Sequence, residues 1–156
     1  MTISIHEQTP DIIGFAGDWH GEIRQSQRIL RHFHLNDATH VLHTGDFGLW
    51  KSESTRTFLD ELNAAAANYG ILIYFVDGNH EEFPYLYSLP LQKDGTRPIR
   101  SNIFHLPRAT RWNWGGIDFL AMGGAFSVDR QYRTLNLSYF DEELISPQDI
   151  EAAGTQ

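Results

Sequence analysis

The run ILIYFV at residues 71–76 stops abruptly at Asp77-Gly78-Asn79-His80-Glu81. An apolar run of this length, rich in β-branched and aromatic residues, predicts a strand buried on both faces. Asp-Gly then forces a turn. The first side chains past it, Asn79 and His80, are types that hold a metal and move a proton. Two earlier stretches repeat the design. DIIGFA at 11–16 runs into Gly17-Asp18-Trp19-His20-Gly21, and THVLHT at 39–44 runs into Gly45-Asp46-Phe47-Gly48. A helical pattern over 22–35 follows the first, with Ile23, Leu30, Phe33 and Leu35 as the apolar stripe and Arg24, Gln25, Arg28 and Arg31 between them. A second helix, capped by Ser52 or Ser54, runs to about Asn68 on Phe58, Leu59 and Leu62 and stops at Gly70. Strand, helix, strand, helix, strand implies parallel strands with right-handed crossovers. Ligands of such sheets collect at the carboxyl ends of the strands, where all three polar turns fall.

The rest of the chain is less regular. Residues 1–10 read as a polar lead-in arm. Residues 83–98 are aromatic, then broken by Pro90, Gly95 and Pro98, and read as a surface excursion. Short strands are predicted over 103–106, 110–114 and 117–122, with Gly115-Gly116 as a hairpin turn between the last two. From Ala125 the chain reads as loop, with helix starts near Asp141 and Ser146-Pro147. At 156 residues it is expected to form one domain over 1–156.

There is no cysteine, so any metal must be held by His, Asp, Glu and Asn. That donor set favours hard or borderline divalent ions: Mn, Mg, Fe or Zn. The net charge of -8 argues against a broad electrostatic footprint for nucleic acid, which leaves nucleic acid as a partner only in the role of substrate. No stretch is long and apolar enough to span a membrane. The start, MTISIHEQTP, has no basic region followed by an apolar one, so a cytoplasmic location is the expectation.

Taken singly, each turn has a bland reading: a turn Asp beside a surface His at Asp18 and His20, a cap at Asp46, an Asp-Gly turn before Asn79. Jointly, three adjacent strand ends that each deliver Gly plus a metal-ligand type are what a two-metal site needs. Such a site holds its ions ~3.5–4 Å apart and clamps a phosphoryl oxygen.

Gly17-Asp18-Trp19-His20-Gly21, Gly45-Asp46-Phe47-Gly48 and Gly78-Asn79-His80-Glu81 resemble, in order and spacing, the first three signature motifs of the calcineurin-like metallophosphoesterases. The resemblance covers roughly residues 11–130. It implies an α/β fold, a β-sandwich flanked by helices, with two divalent ions along one sheet edge and manganese favoured. By position, Asp18 and His20 would bind the first ion, Asp46 would bridge both, and Asn79 would bind the second. His80 would protonate the leaving oxygen or steady the transition state. The segment 123–130, GGAFSVDR, resembles a stretch of small bacterial and phage-type members, which brings Arg130 and Arg133 toward a substrate phosphate; a surface pair held by local carboxylates is the other reading. The implied activity is hydrolysis of a phosphomonoester or phosphodiester by a metal-bridging hydroxide.

The family's later His ligands, including a Gly-His-x-His pair, have no counterpart, because no histidine follows His105. The chain is therefore expected to be C-terminally truncated relative to the family, with an incomplete second sheet and apolar sheet surface left uncovered. The missing ligands would come from a protein partner or a homo-oligomer. The alternative is a truncated or degenerate member acting as a non-catalytic binding or structural subunit. His105 is read as structural, His43 as core or supporting rather than ligating, and His32 and His34 as faces of the first helix.

Overall fold

A computed structural model describes residues 4–154. The expected alternation is present. Strand β1 (Ile13–Ala16) leads to helix α1 (Ile23–Leu35), β2 (His40–His43), α2 (Glu53–Tyr69) and β3 (Leu72–Phe75). Ser52 caps α2 by accepting from the Thr55 amide, and Gly70 ends it. The chain continues through α3 (Phe83–Ser88), β4 (Arg97–Arg100), β5 (Ile103–His105), the hairpin β6 (Arg111–Trp114) and β7 (Ile117–Leu120), and α4 (Pro147–Gly154).

Five strands form one sheet in the order β1-β2-β3-β5-β4. The first four run parallel and β4 pairs antiparallel with β5 at the edge. The hairpin forms a second sheet of two strands. Alternation along the strands divides the core in two. Val41, Ile73, Phe75 and Ile103 face α1 and α2, packing on Leu30, Phe58, Leu59 and Leu62. Leu42, Tyr74 and Phe104 face the hairpin, packing on Trp112 and Trp114. This is the expected α/β arrangement with a small second layer.

Two expectations need correction. Residues 83–98 are not a surface excursion. Phe83–Ser88 is helical, with Phe83 and Leu86 fully buried, and Arg97–Arg100 joins the main sheet. Pro84 sits at the helix start, where its missing N–H costs nothing, and Pro98 is tolerated because β4 is an edge strand. Nor is the N-terminal arm merely polar lead-in. Residues 1–3 of it lie outside the described residues, but Ile5 is buried against the hairpin layer and its carbonyl accepts from Trp114 Nε1 at 2.9 Å.

The open edge of β1 and the hairpin leave apolar surface exposed, as expected. Phe15 is 62% and Ile117 is 63% accessible. No helix among the described residues is long and apolar enough to cross a membrane.

Candidate metal centre

The turns after β1, β2 and β3 interlock. Parallel pairing continues past the strands: Asp18 N donates to Gly45 O at 3.1 Å, His20 N to Asp46 O at 2.9 Å, and Gly21 N to Phe47 O at 3.2 Å. Each of the first two turns drives an aromatic residue inward. Trp19 and Phe47 are completely buried, and both stack edge-on against His43. Pinning Trp19 inside forces its neighbours Asp18 and His20 to project outward. Glycine permits the close approach. A Cβ on Gly78 would stand 2.1 Å from Asp46 Oδ1, and one on Gly48 would stand 2.2 Å from Gly21 N.

Three donors converge. His20 Nε2 lies 3.8 Å from Asp18 Oδ1 and 3.8 Å from Asp46 Oδ2. The donor atoms of Asp18, His20 and Asp46 all lie within 4.8 Å of one another. Two ligands of one ion with bonds of about 2.1 Å are at most ~4.2 Å apart, so the His20 separations fit a shared ion. They are too long for hydrogen bonds. Asp18, 82% exposed, has the rotational freedom to close any remaining gap. All three residues also adopt left-handed backbone, at φ 55°, 46° and 56°. Non-glycine residues held there cost of order 1–3 kcal/mol each, and such strain clusters at functional sites. The residues present therefore fit one divalent cation with carboxylate and imidazole ligands.

Asn79 and His80 approach the same carboxylate. Both of their backbone amides donate to Asp46 Oδ1, at 3.0 and 3.1 Å. This fixes Asp46 and leaves Oδ2 toward His20. The His80 ring meets the His20 ring edge-on, with centroids 5.1 Å apart. Asn79 Nδ2 donates to Ser127 Oγ at 2.7 Å. With the amide nitrogen committed to Ser127, the amide oxygen is turned away from it. Among the described residues only one cluster of three His or carboxylate donors forms.

Three supports escaped the sequence reading. Glu81 is fully buried and accepts from the amides of Phe47 (2.6 Å), Gly48 (3.3 Å) and Gly78 (2.6 Å), stapling the second turn to the third. Burial pushes its carboxyl up to about 7, and the Asp46 charge adds to this while the three amides pull the other way. Its position inside the third motif was visible, but its direction was not. Ser127 donates to Glu143 Oε2 at 3.1 Å, and Glu143 is completely buried at the end of a run, Asp141-Glu142-Glu143, that reads as a solvated helix start. Asp77 is buried between Arg108 (2.7 Å) and His105 (3.3 Å). Burial opposes its charge, yet the hydrogen bond from His105 and the Arg108 charge outweigh this and hold its carboxyl below the usual range.

The two arginines differ. Arg133 donates to Ser127, to Ser138 O and, at 3.4 Å, to Asn79 O. Arg130 pairs with Asp141 and lies over the Tyr139 ring, 4.6 Å from its centroid. His105 is completely buried and structural; His43 is buried with neither ring nitrogen hydrogen-bonded among the described residues. His34 stacks on Tyr69 across α1 and α2.

This turn-borne cluster is the kind that serves metal-assisted hydrolysis. The sequence matches the model of the family described as calcineurin-like phosphoesterase over residues 12–152, and the chain belongs to that family. Comparison with curated proteins and with solved structures finds no match. Membership points to metal-dependent hydrolysis of phosphoesters.

Proposed function

We propose that the protein hydrolyses a phosphomonoester or phosphodiester using two divalent ions, drawn from Mn, Mg, Fe or Zn by the mixed carboxylate, imidazole and amide donors, with manganese favoured by the family resemblance. Asp18 and His20 would hold the first ion, Asp46 both, and Asn79 the second. When bound, such ions polarise the phosphoryl oxygen and lower the pKa of a water so that it serves as nucleophile. Asp46 is oriented by the amides of Asn79 and His80. His80, whose ring meets that of His20, would give a ring proton to the leaving oxygen or steady the transition state. Arg133 carries its charge next to Asn79, where it adds a favourable field for a phosphoryl group. Arg130 reaches substrate only by leaving Asp141. The observation that carries this reading is the convergence of Asp18, His20 and Asp46, each on left-handed backbone.

One observation favours a second reading. A second ion would have only Asp46 and Asn79 as side-chain donors, whereas Asp18, His20 and Asp46 converge for the first. A chain that binds one ion and serves as a non-catalytic subunit, or that completes its second site with a partner or another copy, fits that asymmetry. Metal content and hydrolysis of bis(p-nitrophenyl) phosphate, measured on one manganese-loaded sample, separate the two. Two ions per chain with turnover is the expected result. One ion and no turnover would overturn the hydrolase in favour of the subunit.

A further inference from the structure

Ten arginines are present in the sequence. Seven are engaged by the protein itself: Arg56 by Glu53, Arg100 by Asp60, Arg108 by Asp77 and Asp149, Arg130 by Asp141, Arg133 by Ser127, Arg97 by Leu89 O and Arg111 by Ala153 O. The other three, Arg24, Arg28 and Arg31, make no ion pair and no hydrogen bond among the described residues. All three lie on α1, at intervals of four and three, so they share one outward stripe. In a chain of net charge -8, with 20 acidic residues, three unpaired arginines on one helix face are a concentration that needs a reason.

Their position supplies one. Helix α1 starts directly after the turn that carries Asp18 and His20. Helical side chains lean toward the N-terminus, so Arg24 and Arg28 incline toward that turn. Beside the stripe, between α1 and the open edge of β1, lies a cavity of about 550 Å³. It is lined by Gly17 of the same turn and by Phe15, Gln25, Arg28, His32 and Phe33, with no carboxylate. Phe15 is an exposed aromatic at its rim. A cationic track joined to an exposed aromatic ring is the combination that binds single-stranded nucleic acid, with phosphates on the arginines and a base on the ring.

We propose that this face of α1, with the cavity at the β1 edge, binds a single-stranded nucleic acid and leads one of its phosphodiesters to the Asp18–His20–Asp46 cluster. The inference rests on the phosphoesterase reading for the fate of the strand, and not for its binding. It also agrees with the acidic composition: the footprint is one stripe and not the whole surface, so it does not show in net charge.

The test uses the manganese-loaded protein and a fluorescein-labelled oligothymidylate with a phosphorothioate backbone, which resists cleavage. Binding is read by anisotropy across a salt series. The wild-type chain is expected to bind with a log–log salt slope of about -2, as three phosphate contacts to a single strand give. The R24Q/R28Q/R31Q variant is expected to lose at least about tenfold in affinity and most of that slope, while its hydrolysis of bis(p-nitrophenyl) phosphate is unchanged. Phe15→Ala is expected to weaken binding about fivefold or more with the slope retained. No wild-type binding, or equal binding by the triple variant, would overturn the proposal. Equal arginine-dependent binding of poly-glutamate would overturn it in favour of an acidic polypeptide. Arginine-dependent oligonucleotide binding by a protein that hydrolyses no phosphodiester would leave this surface standing and remove the hydrolase reading alone.

Discussion

The two sides of the candidate centre are positioned by different means. Asp18, His20 and Asp46 are placed by backbone: their turns pair with one another, Trp19 and Phe47 anchor them, and the donors themselves sit on left-handed φ. Their side chains are held only by backbone, the Asp46 carboxylate by the amides of Asn79 and His80, and Asp18 is largely exposed. Asn79 is placed by side chains that come from far along the sequence. Ser127 takes its amide nitrogen, Glu143 takes the Ser127 hydroxyl, and Arg133 bridges Ser127 to the Asn79 carbonyl. A backbone-built site is rigid and fails all at once when a turn is disturbed. A network-built site loses function in steps, because each member only orients the next.

The comparison breaks most sharply at Asp46, which serves both sides. Asp46→Ala removes a donor from each proposed ion and the acceptor of two backbone amides. The expected result is a fall in turnover of about a thousandfold or more, with metal content near zero, since removing one member of such a constellation costs several kcal/mol. Retained turnover would mean that the chemistry lies elsewhere. Gly48→Ala probes the backbone side alone. Its Cβ would meet Gly21 N at 2.2 Å on a residue with φ +97°, so steric and conformational strain act together. A loss of about 3 kcal/mol in chemical denaturation is expected. The amides of Phe47, His20 and Gly21 should lose hydrogen-exchange protection first, and that of Ala125 last.

The network side is probed by Ser127→Ala. The hydroxyl that holds the Asn79 amide disappears, and Glu143, already with one unpaired oxygen, loses its Ser127 partner. Orienting groups around metal ligands are worth about 10–100-fold in affinity or activity. The expected outcome is that loss for the more weakly bound ion, with the other ion retained and stability lowered by about 1–3 kcal/mol as Glu143 loses its donor. Ser127→Thr, which restores a hydroxyl, should recover part of it. Equal loss of both ions would show that the two sides are not separately built.

The same contrast explains what the sequence disclosed. The strand-turn-helix rhythm and the candidate donors at 18, 20, 46 and 79 are local patterns, each within five residues of a strand end, so periodicity and turn chemistry suffice to find them. Trp19 and Phe47 were in view, but their inward direction depends on the second turn packing against the first. Ser127 and Glu143 lie 48 and 64 residues beyond Asn79, in a stretch whose local texture is loop. Nothing local distinguishes the buried Glu143 from its exposed neighbours Asp141 and Glu142. Helix α3 and strand β4 were hidden for a related reason: six and four residues, each containing proline, are decided by what they pack against and not by their own period.

Acid separates the two sides in the order of their buried groups. His43 lies under the backbone-built turns, fully surrounded by Trp19, Phe47 and its own sheet, and burial lowers its pKa to about 3, with the neighbouring His20 charge adding to this. The folded pKa is below the unfolded value of about 6.5, so between those values the unfolded chain binds a proton that the folded chain refuses. Stability is therefore complete above pH 6.5 and declines as pH falls, by about 1 kcal/mol at pH 5.5 from this group. His40, whose ring is held by Thr39 and Gln8 and whose pKa burial lowers to about 4, adds in the same direction. Asp77, which underlies the third turn, acts lower on the pH scale. Its folded pKa is depressed, so its contribution is complete above the ordinary carboxylate range and is lost progressively as pH falls from that range to the folded value. Denaturation midpoints followed at pH 7.5, 6.5, 5.5 and 4.5 should fall from the second step onward in the wild type. In His43→Leu, which fills the same apolar site without a titrating ring, the decline over pH 6.5–5.5 should be shallower. An unchanged slope in that variant would assign the acid sensitivity to the network side and dissolve the contrast in its pH form.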